Sequence, residues 1–246
     1  MNESIKTRFV WVAALILAVG LLASVSVATY GFVKSRAQVN TITVTGSAKQ
    51  QIKSDYVTWK GSFNRQSKSL SEAYSKLQGD LVIVKDYLNK QGISENDYTV
   101  SSVNTQVNYV MLPNGYMSSE VDSYRLYQDI DLRSGDIDGI TKISRESTKL
   151  MQDGVQFQSN APKYFYTKIA DLKVDMLALA TKDARNRAEK IAENAGAKLV
   201  SLKNAKMGVF QITPINSNDV SDYGINDTSS IEKEIMSVVN CTFTSR

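Results

Sequence analysis

The chain has 246 residues, 42% of them hydrophobic and 22% charged, with a net charge of +4. That is the composition of a folded protein with room for a substantial core, and it argues against disorder. Lys and Arg are scattered among Asp and Glu with no basic run, which excludes the usual footprint of a nucleic-acid binder. There is no histidine and one cysteine. Ser-His-Asp and Cys-His nucleophilic sites, His-ligated or thiolate zinc and an internal disulfide are therefore excluded. Chemistry based on carboxylates, lysine or tyrosine is not.

Residues 1–8 form a short tail with Lys6 and Arg8. Residues 9–33 carry no charge and include Leu15, Ile16, Leu17, Leu21 and Leu22. At about 1.5 Å per residue, a helix of that length spans a hydrocarbon core of about 30 Å. Trp11 and Tyr30 lie near its ends, where amphipathic rings favour the membrane interface. The competing reading is a cleaved signal peptide with small residues at Ser26-Val27-Ala28, but the apolar run exceeds a usual signal core. The retained reading is a single-pass anchor in a bacterial inner membrane, with the N-terminus inside and membrane lipid as a partner through residues 9–33. Residues 34–40 then read as a tether, and 41–246 as an extracytoplasmic domain in the periplasm or outside.

The alternating run Thr41-Ile42-Thr43-Val44-Thr45 predicts a strand, with a turn at Gly46. A second strand is predicted over 55–65. Ser69-Leu70-Ser71-Glu72 has capping-box spacing, and Leu70, Ala73, Leu77, Leu81, Val84 and Leu88 mark one helix face, closed by Gly92. Extended runs at 97–110 and 120–132 flank Pro113-Asn114-Gly115, which predicts a hairpin. A second helix is expected from Ile137 to Met151. A strand from Val155 to Tyr166, broken at Pro162, precedes a long helix over 169–195. Its inward face reads Ile169, Leu172, Met176, Ala180, Ala184, Ala188, Ile191 and Ala195. Alanines there would bring helix and sheet close. Strands at 198–212 and 233–244 finish the chain, joined by a polar loop over 214–230.

Residues 55–133 and 155–244 thus each read strand, helix, strand, strand. The fold class is α+β: two β-α-β-β halves with antiparallel sheets and helices on one face, preceded by one transmembrane helix.

No constellation stands out as catalytic, cofactor-binding or metal-binding. Asp136 and Asp138, or the acidic loop over 214–230, are the candidates for carboxylate chemistry, but nothing in the sequence shows acidities pushed apart. Asp219, Asp222 and Asp227 fail EF-hand spacing and read as a solvated loop. Cys241 reads as a small buried residue of the last strand. The hairpin tip with Met111, Leu112, Tyr116 and Met117 is a candidate contact surface. So is the aromatic edge Tyr164-Phe165-Tyr166.

Several motifs resemble the SIMPL-domain family of bacterial envelope proteins over about residues 40–245. They are Ile42-Thr43-Val44-Thr45-Gly46-Ser47, then Ser54-Asp55, and then Asp183-Ala184-Arg185-Asn186-Arg187-Ala188-Glu189-Lys190-Ile191-Ala192, followed by Lys206-Met207-Gly208-Val209-Phe210-Gln211. Ser47 stands where a second glycine is frequent, and Ser54 where a proline is usual. The resemblance implies a periplasmic or membrane-anchored α+β protein that assembles into large homo-oligomeric rings or cages, with a loose link to envelope or oxidative stress. It implies no catalytic residue. The expected function is therefore a non-enzymatic, self-assembling envelope protein. The alternative is an extracytoplasmic ligand-binding or sensing module acting through another, unknown protein partner.

Overall fold

The computed structural model describes residues 3–35 and 40–246. The elements are helix α1 (Glu3–Ser35), strands β1 (Thr41–Lys53) and β2 (Tyr56–Ser67), and helix α2 (Leu70–Lys90). Next come β3 (Tyr98–Val100), β4 (Asn104–Met111), β5 (Met117–Ser134) and α3 (Ile137–Glu146), with a 3-10 turn over Ser147–Met151. The chain closes with β6 (Phe157–Ser159), β7 (Lys163–Phe165), α4 (Ile169–Asn194), β8 (Leu199–Met207), β9 (Gln211–Pro214), β10 (Ile225–Asn226) and β11 (Glu232–Ser245).

Helix α1 is continuous through the predicted span and starts inside the predicted tail. Its stretch Ala14–Phe32 has a mean hydropathy of 2.0 and is long and apolar enough to cross a membrane. It is apolar all round, which suits a membrane span and a signal sequence alike. The hydroxyls in it turn back on the helix: Ser26 Oγ donates to the Leu22 carbonyl at 2.7 Å and Thr29 Oγ1 to that of Val25 at 2.6 Å. Such bonding satisfies polar groups where water is absent. Of the predicted tether, Lys34 and Ser35 continue the helix, and residues 36–39 lie outside the described residues.

The chain divides into two units. One consists of residues 45–185 and 206–240. Its six-stranded sheet has the order β3-β5-β2-β6, with β4 also on β5 and β7 also on β2, and every pairing given for it is antiparallel. Alternation along β2 turns Val57, Trp59 and Phe63 to one face, where Leu77, Val84 and Leu88 of α2 and Ile140 and Ile143 of α3 cover them. Burial of this face supplies the main apolar driving force. Helix α3 begins at Asp136, whose side chain accepts the Gly139 N–H at 2.9 Å. Asp136→Ala is expected to cost about 0.5–2 kcal/mol, the usual range for a lost N-cap; a urea titration of the full chain checks this.

A second core in the same unit joins Ile52, Leu172, Met176, Ile212 and Ile235. The second sheet has the order β1-β11-β9-β10, with β8 also on β11. β9 and β11 are antiparallel, and the short β10 runs parallel to β9. That short strand lies inside the segment read as a polar loop. The other unit holds residues 1–44, 186–205 and 241–246. Within it, Ser245 N–H donates to the Asn40 carbonyl, and Lys198 and Arg246 exchange backbone bonds at 2.7 and 3.0 Å. Cys241 is buried here, as expected of a small apolar residue, and burial pushes its thiol upward.

The α+β class and the antiparallel sheets with covering helices match expectation. The pairings show how the predicted halves share strands. β6 and β7 pair with β2, and β1 belongs with β11. Three local expectations change. The chain does not turn at Gly46, because β1 runs on to Lys53. Ser69 makes no side-chain cap; instead Glu72 accepts from Ser67 Oγ at 2.6 Å and pairs with Lys76, four residues on. Leu70 and Ile191 are exposed, and the buried stripe of α4 steps by four through Ala188 to Ala192.

Candidate functional site: an apolar hairpin arm and a lysine-lined cavity

β5 is longer than the sheet it belongs to. Its pairing with β2 ends at Tyr124, so, among the described residues, 117–123 pair only with β4. Together with β4 they form a two-stranded arm. Tyr109 lies opposite Val121, and Met111 opposite Met117. The tip turns through Pro113 and Asn114 to Gly115, which has φ of 82° and so favours glycine. The Gly115 N–H donates to the Leu112 carbonyl and the Leu112 N–H to that of Tyr116. All four tip candidates are exposed, Met111, Leu112, Tyr116 and Met117, with Tyr116 at 73%. Val107, Tyr109 and Val121 continue the exposed apolar surface down the arm. Two-stranded ribbons are marginal in water by themselves, and an exposed apolar patch of this kind is a candidate contact surface.

The second aromatic edge is placed differently. Tyr164 is buried, and its hydroxyl bonds Thr141 Oγ1 at 2.9 Å. Phe165 and Tyr166 are half-buried and line a cavity of about 620 Å³. Phe210, Ile212 and Tyr223 also line it. The charged residues of its described lining are both lysines, Lys173 and Lys233. Lys173 Nζ sits 5.4 Å from the centre of the Phe210 ring, a cation–π distance.

Lys233 is 2% exposed. It occupies an inward position of β11, in phase with Ile235, Val239, Cys241 and Phe243. Its Nζ donates to the Tyr164 carbonyl at 2.7 Å and the Asp227 carbonyl at 2.5 Å. Burial holds its ammonium below the ordinary lysine value, partly offset by attraction to Asp227. The Asp227 carboxylate bonds the Ser229 hydroxyl at 2.7 Å and the Ser229 and Ser230 N–H groups. Burial alone would raise its pKa, but those bonds and Lys233 bring it below the usual carboxylate value. Asp219 accepts from Ser217. These two acids of the 214–230 segment thus order turns. Asp136 is likewise occupied as a helix cap.

The SIMPL family profile, described as a protein of unknown function (DUF541), matches residues 42–243. The chain belongs to the SIMPL family. No curated protein matches it in sequence. The match takes in all eleven strands of the described residues, β1 and β11 nearly whole, and helices α2–α4; α1 precedes it.

The residues that mark this SIMPL chain have structural work in the unit of 45–185 and 206–240. Gly46 is buried, with Ala180 and Ala184 against it. Next to it, the Ser47 N–H donates to Asp183 Oδ2 at 2.8 Å. The opening strand and the Asp183-Ala184 pair of the long helix are therefore one contact. Ser54 is buried, and its N–H donates to the Ile231 carbonyl. Asp55 accepts the Thr167 N–H at 2.7 Å and the Thr167 hydroxyl at 2.8 Å, fixing the chain just before α4. Sequence reasoning missed Lys173, Phe210 and Lys233. The signal available was a lysine in phase with the apolar residues of β11.

Proposed function

We propose that this SIMPL protein is a non-enzymatic, membrane-anchored module of the bacterial cell envelope that self-associates through the β4–β5 arm. The observation that carries the reading is the arm itself, an apolar two-stranded ribbon extending past the sheet. Among the described residues β4 pairs only with β5, so its second edge is open to another strand. A second copy presents the same edge, and pairing across a two-fold axis would satisfy both at once. On this reading α1 is the single membrane span, with its N-terminus inside and residues 41–246 outside the cytoplasm. The assembly is a ring or cage, serving in the envelope or oxidative stress that the family resemblance implies. The absence of histidine and the engagement of Asp136, Asp219 and Asp227 in caps and turns support a role without catalysis.

The full chain in mild detergent, sized by light scattering and negative-stain microscopy, should form a closed oligomer. Met111→Lys combined with Met117→Lys should shift it to smaller species while its thermal midpoint holds, since both side chains are exposed. A wild-type monomer would reject the reading. An oligomer unaffected by the double substitution would move the interface off the arm.

A further inference from the structure

We propose that the cavity beside the start of α4 is a binding site for a small aromatic carboxylate. This goes beyond the assembly reading and does not depend on it, because every described lining residue lies in one unit and none belongs to the arm. The volume of about 620 Å³ lies within the range of small-molecule pockets, roughly 300–1,000 Å³. Such pockets are mostly apolar with a few converging polar groups, and this one follows that pattern.

The aromatic part of the ligand is set by three half-buried rings, Phe165, Tyr166 and Phe210, with Ile212 beside them; Tyr223, 97% exposed, also lines the cavity. Flat rings are best met by offset or edge-on partners of their own kind. The negative charge is set by the lysines. A lysine ammonium has three N–H donors, and Lys233 gives two of them to backbone carbonyls. Neutral carbonyls do not cancel a buried charge, and the depressed proton affinity of Lys233 is the sign of that cost. Asp227 attracts it, but its carboxylate is already held by Ser229 and Ser230. Lys173 adds a second positive charge, held over Phe210. No acidic residue is among the described lining residues. An aromatic ring bearing one carboxylate matches both the apolar wall and the paired cations. A cationic ligand would meet two like charges, and a neutral one would add no attraction beyond that of Asp227 for Lys233.

The test uses the full chain in lipid nanodiscs, with empty nanodiscs as the blank. Binding of 2-naphthoate is followed by equilibrium dialysis and by saturation-transfer NMR. Saturable binding above the blank is expected, with the neutral analogue 2-naphthamide about tenfold weaker or more, as befits a lost charge-assisted bond. Lys173→Glu, on an exposed helix position, should weaken naphthoate by about tenfold and leave the amide nearly unchanged. Ile225→Trp, placed in the cavity wall, should abolish binding of both while the circular dichroism spectrum is retained. If Ile225→Trp fails to fold, Lys173→Glu decides alone. No saturable naphthoate binding, equal affinity for the amide, or indifference to Lys173→Glu would each overturn the proposal.

Discussion

Asp80→Ala should lower the stability of the protein by about 3 kcal/mol or more, read as a fall in the urea midpoint of the full chain. The general range for breaking a buried ion pair by removing one partner is roughly 3–5 kcal/mol. Asp80 lies on the inward face of α2, and its side chain is 3% exposed. Arg65 of β2 meets it with two parallel bonds: Nε to Oδ2 at 2.6 Å and Nη2 to Oδ1 at 2.6 Å. Such two-pronged pairing is short, directional and stronger than neutral bonds. Nη2 also donates to the Gly154 carbonyl at 2.7 Å, which ties the turn after the 3-10 segment to the same guanidinium. Removing Asp80 strips two bonds from a cation that stays in place. The Arg65 side chain is 25% exposed, so water recovers part of its charge and the loss falls toward the low end of the range. Arg65→Lys should also be costly, because an ammonium cannot present the same fork. The double variant Arg65→Met, Asp80→Leu should recover much of the loss. If Asp80→Ala shifted the midpoint no more than an exposed substitution does, the pair would be peripheral to stability.

That pair also shows where sequence reading stops. The helix face of α2 was legible from Ala73, Leu77, Val84 and Leu88, which recur at helical spacing and are buried. Asp80 sits on the same face, but its charge made it look like a surface residue. Only its partner, fifteen positions earlier on a different element, makes the burial tolerable. The hairpin was legible because Pro-Asn-Gly is local chemistry, and its turn needs only φ above zero at Gly115. Strand partnership was not legible. β6 and β7 pair with β2 from about a hundred residues away, and no local signal states which sheet they join. The cavity follows the same rule. Phe165 and Tyr166 were visible as an aromatic edge, but Lys233 acquires meaning only when the Tyr164 and Asp227 carbonyls arrive around it.

Gly46→Ala should be among the most damaging single-methyl additions in the chain. A Cβ at position 46 would come within 2.2 Å of the Ala180 carbonyl oxygen, 2.4 Å of the Ala184 nitrogen and 2.6 Å of the Ala184 Cβ. Two of these are backbone atoms of α4, which cannot rotate away. The helix or the strand must shift as a body, and that shift acts on the Ser47–Asp183 bond immediately beside it. Overpacking a fitted core costs about 1–3 kcal/mol, sometimes more, and rigid backbone on both sides places this site at the top of that range. The spacing of alanines at 180 and 184 is thus one half of a fit whose other half is Gly46, and neither strand nor helix explains its small residues alone. Gly79→Ala is the matched control: it adds the same methyl to an exposed helical glycine with nothing within 4 Å of the new carbon. Helix propensity predicts that it stabilises the protein by about 0.5–1 kcal/mol. Thermal midpoints of the two variants should therefore move in opposite directions. If Gly46→Ala melted with the wild type, the close approach of α4 to β1 would be wrong.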